Sequence, residues 1–329
     1  MITSAVAASP GTEDDRCGGS SQLQLAVELR LTFTGVSMET LRNILARLET
    51  EGAALGHFNV AELVALKAVV AAANEIKVPV FIGASESERD FFGTREVAAM
   101  VKSMREESSV PLFLDADHTH SLQKATEAAH AGFDAVVIDF STLPFEENVA
   151  RTKETVEAIK SINPAIVAEG EIGYIGSGSE IHESVDAKTP NLTTPEEARQ
   201  FVEATGIDVL APAVGNMHGM LQSMVKGTTK KRLNIQRIAE IKKEVGVFLT
   251  LHGGSGTDDE DFQQAIAAGI NIIHINTELR VAWRQSLERS LAANPKQVVP
   301  YRILQPVVES VKQVTAGRLR LFNAVRKAA

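Results

Sequence analysis

A single cysteine, Cys17, among 329 residues excludes an internal disulfide and a thiolate metal site. A reducing cytoplasm is the compartment such cysteine usage fits. No run of 18 apolar residues occurs, so no segment qualifies as a transmembrane helix. Excess positive charge is also missing. The formal net charge is -9, which argues against a general nucleic-acid or anionic-membrane surface but leaves room for a local cationic pocket. The opening stretch MITSAVAASPGTEDDRCGGSSQ has no basic segment followed by an apolar one, so it does not read as a signal peptide. It is rich in Ser, Gly and Ala and lacks a period. Residues 1 to 37 are therefore expected to be disordered, or to reflect a gene start placed too early. Met38 then opens the amphipathic helix METLRNILARLETEG of a single domain, 38–329.

What is present is an ordinary globular composition, 44% hydrophobic and 23% charged, with a regular alternation from residue 53 onward. Short apolar runs (ALGHFNV, 78–85, 110–117, 134–141, 165–171, 208–214, 247–253 and 271–277) are separated by amphipathic helical patterns such as AELVALKAVVAAANEIK. Runs that are apolar throughout suit parallel strands covered on both faces. Eight strand–helix units in about 250 residues predict a (β/α)8 barrel, with a doubly wound open sheet as the alternative. Two features fall outside the repeat: a polar, Gly/Ser-rich insertion at 172–193, and a helical extension after residue 294 that would cover the barrel or meet a partner subunit.

Barrel enzymes take their catalytic groups from the C-terminal ends of the strands. Here those ends carry Asn59, Ser85, Asp117-His118, Asp139, Glu169, Glu171 and His252, with His218 after strand six. One histidine in such a place is most simply structural. Three at matching ends (His118, His218 and His252) point into one mouth, and three imidazoles with an open position make a catalytic zinc pattern. His57, His120, His130 and His182 read as ordinary polar residues. The loops HGGSG and NTEL, after strands seven and eight, sit where barrels bind phosphate. Glycines there let backbone N–H groups approach an anion, and Ser255 and Thr277 add hydroxyls. A tight turn with an N-cap is the plainer account of either loop alone. None of the eight strands carries a lysine, which disfavours an imine in the mouth and favours a metal as electron sink.

These residues resemble the class II, metal-dependent fructose-bisphosphate and tagatose-bisphosphate aldolase family. The resemblance runs from about Met38 to the C-terminus and is carried by GHFNV, DADHTHS, DAVVIDFSTLPFEENVARTKETVE, AEGEIGYIG, VGNMHG, LHGGSG and INTELR, in the family's order. It implies that His118, His218 and His252 hold a divalent ion, zinc first, with Glu171 offering an alternative metal position. It implies that Asp117 is the acid/base at the C4 hydroxyl. Gly219, Gly253, Ser255, Asn276 and Thr277 would hold the phosphate of dihydroxyacetone phosphate, and Asn59 and Ser85 would line the substrate site. Glu180, in the insertion, is the candidate base for the C1 proton of the ketone. The same resemblance implies a monovalent cation near the phosphate, a small-molecule phosphosugar as substrate with no nucleic-acid or membrane partner, and a homodimer or homotetramer.

The departures crowd the ketose site. His274 stands where the family has a substrate-binding Asn, so it is either a replacement donor or the mark of a different phosphorylated sugar. Asp115 and Ala116 interrupt the usual Leu-His-Leu-Asp-His, and Leu221 and Gln222 replace Tyr-Lys. The expected activity is reversible cleavage of a ketose 1,6-bisphosphate, fructose 1,6-bisphosphate first. The alternatives are another phosphorylated ketose, or phosphosugar binding without turnover.

Overall fold

The computed structural model describes residues 39–176, 178–183 and 192–324. The N-terminal stretch expected to be disordered, and part of the 172–193 insertion, lie outside them. All eight expected strands form: β1 (Leu55–Asn59), β2 (Val80–Ser85), β3 (Leu112–Thr119), β4 (Ala135–Ile138), β5 (Val167–Ile172), β7 (Val209–Pro212), β9 (Phe248–Leu251) and β10 (Ile270–Ile275). They pair in parallel in the closed order β1-β10-β9-β7-β5-β4-β3-β2, which is the (β/α)8 barrel. Two short strands, β6 (Ile181–His182) and β8 (Met220–Leu221), pair with each other outside the barrel, tying the insertion to the loop after β7.

The helix Leu41–Thr50 begins at Thr40, whose side chain accepts from the Asn43 N–H, and buries Leu41, Ile44, Leu45 and Leu48. These pack on Leu55, Phe81, Phe113, Val167 and Val209, at the N-terminal ends of the strands. The helix therefore plugs the bottom of the barrel, each buried Leu or Ile contributing about 1.5–3 kcal/mol. Arg42 fastens it by donating to Asp208 and to the carbonyls of Ala165 and Ile166. With the bottom closed by apolar packing, chemistry is confined to the other end. The C-terminal helix Pro300–Phe322 packs on the helices Leu63–Ile76 and Thr277–Ala293, burying Val307, Val311, Leu319 and Phe322. Of the two roles expected for the extension, this chain shows it covering the barrel wall. No helix among the described residues is long and apolar enough to cross a membrane.

The barrel interior departs from an aliphatic filling. His57, on β1, was expected to be an ordinary polar residue, but it is fully buried inside the barrel. Its Nε2 lies 3.0 Å from Asp115 Oδ2, and its ring stacks on His274 at 3.5 Å. Gly83, facing it on β2, is what makes room: a Cβ there would lie 2.0 Å from the His57 ring. Gly83→Ala is expected to cost about 1–3 kcal/mol through overpacking, read as a fall in Tm of several degrees by calorimetry. An unchanged Tm would show that the imidazole leaves the barrel interior without penalty.

Candidate active site

Strand β3 delivers two of the expected residues through a local irregularity. Its register against β4 shifts between Ala116 and Thr119, and His118 takes φ 38°, a conformation that costs a non-glycine residue roughly 1–3 kcal/mol. Such a bulge re-aims side chains at the rim of a sheet, and here Asp117 and His118 both line the cavity at the mouth. Arg89 holds the bulge from behind. It is buried and donates to the carbonyls of Ala84 and Asp117 and to Thr119 Oγ1.

His118, His218 and His252 offer ligand atoms that all lie within 4.8 Å of one another. Each ring has one nitrogen tied down. His118 Nδ1 donates to Asp139 Oδ2 at 2.8 Å, His218 Nδ1 to the Gly176 carbonyl at 2.8 Å, and His252 Nε2 to Glu169 Oε1 at 2.6 Å. That leaves His118 Nε2, His218 Nε2 and His252 Nδ1 as the free nitrogens. Partners of this kind fix the tautomer and orientation of a ligating imidazole. His252 Nδ1 and Glu171 Oε2 approach to 2.9 Å, yet both are buried without a hydrogen bond. Either a proton on His252, which Glu169 and Glu171 favour against the effect of burial, or a cation held by both atoms would satisfy this pair. The donor set of three imidazoles and a carboxylate fits a divalent ion of borderline softness such as zinc.

Asp117 is buried, and Asn59 Nδ2 donates to its Oδ2 at 2.8 Å. Its Oδ1 lies 3.8 Å from His118 Nε2 and 3.3 Å from His274 Nδ1 without the alignment of a hydrogen bond. Burial would raise this carboxyl, but the charge of His118 and the contact with His274 outweigh it and hold Asp117 well below the usual carboxylate range. Likewise burial opposes protonation of His118, while Asp117 and Asp139 raise it to about 9. His218, by contrast, is pushed down to about 3 by burial and by the neighbouring His118 and His252.

A narrow inner cavity of about 20 Å³ is lined by Asn59, Asp117, His118, His218, Gly219, His252, Gly253, Ser255, His274, Asn276 and Thr277, with Ser179. That is room for one ion or water. Above it opens a cavity of about 410 Å³ that includes Ser85, Asp117, His118, His218, Asn276, Glu180 and Arg280, large enough for a sugar phosphate. Glu180 is exposed there, on the same cavity as Asp117. Ser85 reaches only the outer cavity, and its Oγ caps the helix Glu86–Phe92 by accepting from the Glu88 N–H.

The glycine loops are part cap and part unpaired backbone. Ser255 Oγ accepts from the N–H groups of Asn276 and Glu278, so this hydroxyl caps the helix Thr277–Ala293. Gly254 and Gly256 spend their N–H groups on the His274 carbonyl and Glu278 Oε1. The N–H groups of Gly219, Gly253, Ser255 and Thr277 have no partner among the described residues, and these four residues line the same inner cavity. Gly253 is obligatory in that place: at φ 59° a Cβ would lie 2.2 Å from the Met217 carbonyl oxygen.

The lysines expected only on helices and surface loops include an exception. Lys231 is 4% exposed and donates to the carbonyls of Met217, Gly219 and Gly253; burial pulls its ammonium down to about 7. It is missed among the strands because it comes from the segment between the helices Gln222–Val225 and Ile235–Glu244. Arg280 and Glu88 were also missed. Arg280 Nη2 donates to Glu88 Oε1 at 2.7 Å, and Glu88 Oε2 accepts from Asn59. The spacing did carry a signal for Arg280, since it follows Thr277 by one helical turn and so shares its face.

The fold and the mouth together define a (β/α)8 barrel whose C-terminal end gathers side chains that could hold a metal ion. Residues 39–327 match the family described as fructose-bisphosphate aldolase class-II. Curated relatives include the probable fructose-bisphosphate aldolase of Bacillus subtilis, 35% identical over 88% of this chain and 99% of that protein. The fructose-bisphosphate aldolase of Thermus caldophilus is 36% identical over 87% and 98%. Among solved structures, the YdjI aldolase of Escherichia coli K12 superposes with a TM-score of 0.73 at 30% identity, covering 88% of this chain and 98% of that one. A putative fructose-1,6-bisphosphate aldolase from Coccidioides immitis gives 0.74 at 27%, covering 89% and 98%. The chain belongs to the class II fructose-bisphosphate aldolase family, whose members are metal-dependent carbon–carbon lyases.

Proposed function

We propose that this enzyme reversibly cleaves a ketose 1,6-bisphosphate, fructose 1,6-bisphosphate first, to dihydroxyacetone phosphate and an aldehyde phosphate, a glycolytic reaction of the cytoplasm. The observation that carries the proposal is the free Oδ1 of Asp117 beside three converging imidazoles. His118, His218 and His252 would hold the ion, zinc before other divalents, with Glu171 as an alternative ligand. When bound, it supplies Lewis-acid stabilisation for the negative charge left on the ketone oxygen. Asp117, ionised and oriented by Asn59, takes the proton from the C4 hydroxyl. The C3–C4 bond then breaks, the aldehyde leaves, and its electron pair passes to the ketone carbon unit. Glu180 exchanges the proton at the hydroxymethyl carbon of that unit. The free N–H groups of Gly219, Gly253, Ser255 and Thr277, with Asn276, bind one phosphate. Arg280, on the outer cavity, meets the second. Association into a dimer or tetramer is part of the same reading.

A second substrate reading rests on His274. Its Nε2 is buried without a partner and its ring lines the inner cavity, so it presents a ring nitrogen where Asn would present an amide. A sugar of different hydroxyl configuration would then be preferred. The test is a panel of fructose, tagatose and other ketose bisphosphates with metal-loaded protein, run beside His274→Asn. Turnover of fructose 1,6-bisphosphate by the wild type supports the first reading. Turnover of another ketose alone, shifted toward fructose in His274→Asn, supports the second. No cleavage of any member, with phosphosugar binding retained, would leave a binding protein in place of an enzyme of this specificity.

A further inference from the structure

Lys231 lies between the short helix Gln222–Val225 and the helix Ile235–Glu244, and its side chain runs into the protein. Its three N–H donors go to the carbonyl oxygens of Met217 at 2.7 Å, Gly219 at 2.6 Å and Gly253 at 2.8 Å. Its backbone is tied to the second glycine loop: its N–H donates to the Gly256 carbonyl at 2.9 Å, and its own carbonyl accepts from the Asp258 N–H at 3.3 Å. Met217 and Gly219 flank His218, and Gly253 follows His252. One ammonium therefore fastens together the two loops that carry both the cradle glycines and two of the converging imidazoles.

Burying a lysine on three neutral carbonyls costs desolvation with no opposite charge in direct contact to offset it. Three carbonyl dipoles aimed at one point also make that point negative, and beside an anion site the negative point would oppose binding. Converging carbonyls are the coordination that small monovalent cations take from backbone. In its protonated form, which a phosphate bound nearby favours against the effect of burial, Lys231 has the same charge, and its three donors match three acceptors. We propose that Lys231 is a tethered monovalent cation that shapes and neutralises the phosphate cradle, so that this enzyme binds its substrate's phosphate without sodium or potassium. It does not line the inner cavity, so it is a positioning residue acting through Gly219 and Gly253. The inference rests on the phosphate reading of those loops and replaces the monovalent ion expected from the resemblance.

The test is the affinity of metal-loaded protein for inorganic phosphate and for dihydroxyacetone phosphate, measured by calorimetry in tetramethylammonium buffer and then with sodium, potassium or ammonium added. The wild type is expected to bind equally well in all four media. Lys231→Ala is expected to bind at least about tenfold more weakly in tetramethylammonium, the loss of one charge-assisted contact set, and to regain most of that with potassium or ammonium. KM for the bisphosphate should follow the affinity while kcat stays nearly unchanged, a split that general loosening of the fold would not give. Lys231→Met keeps the stem and serves if the Ala variant does not fold, thermal unfolding being the check. Cation-dependent phosphate binding by the wild type would overturn the proposal. So would a folded variant with unchanged affinity, or one whose lost affinity no small cation restores. If the wild type binds neither probe in any medium, the phosphate reading itself fails and takes the proposal with it.

Discussion

His252→Ala is expected to lose its divalent ion on dialysis and to drop kcat/KM by roughly 10³-fold or more. A Lewis-acid metal contributes several kcal/mol to such a step, and each 1.36 kcal/mol is about tenfold. The expectation follows from geometry. His252 Nδ1 is one of two orphaned buried atoms at the cluster, and the ring is fixed from the far side by Glu169 at 2.6 Å. Glu169→Gln keeps the size but weakens that support, and metal affinity should fall by about 10–100-fold. Metal content by elemental analysis reads both variants independently of turnover. Retention of a full metal complement by His252→Ala would remove the three-imidazole site.

The same cluster sets a pH dependence. In metal-free protein His118 is raised to about 9 by Asp117 and Asp139 against the effect of burial. Its folded pKa thus lies above the unfolded value of about 6.5. Protonation stabilises the metal-free fold fully below about 6.5, and that contribution is lost as pH rises through about 9. Metal needs the neutral imidazole, so its apparent affinity should run the other way, strengthening by up to roughly tenfold per unit as pH rises toward 9.

The barrel and the three metal-binding candidates were legible because each rests on a repeat. Strand and helix periods recur eight times; His118 and His252 fall at strand ends, and His218 in the loop that follows β7. His57, Asp115 and Lys231 were not legible, for separate physical reasons. His57 and Asp115 sit within apolar runs, where a period gives no hint that a barrel interior is polar. Only closure of the barrel places them 3.0 Å apart and sets His57 on His274. These residues explain one another: His274 differs from the family pattern, and the ring it stacks on is held by Asp115, another departure. Lys231 is one of three adjacent basic residues, Lys230, Lys231 and Arg232. A charge run normally reads as a solvated face, and nothing local says that the middle residue turns inward. Ser255 stands on the inner cavity, but the oxygen expected to meet phosphate already caps a helix.

Asp117→Asn is expected to lower kcat by about 10²–10⁴-fold, the range for loss of a general acid or base, with metal content unchanged and KM altered little. The substitution keeps shape, and the Asn oxygen can still accept from Asn59 at the position of Oδ2. What it removes is a proton acceptor at the atom now lacking a hydrogen bond, Oδ1. Because His118 and His274 hold the Asp117 carboxyl well below its usual range despite burial, it is ionised across neutral pH. An acid limb in the wild-type kcat profile near neutrality must then come from another group. The two directions of reaction make the assignment specific. Proton exchange at the hydroxymethyl carbon of dihydroxyacetone phosphate, followed by NMR in deuterated water, does not use the C4 hydroxyl and should survive in Asp117→Asn. It should instead be lost in Glu180→Gln. Loss of exchange in Asp117→Asn together with cleavage would mean that Asp117 serves the metal site as a whole, and its role as the C4 base would have to be given up.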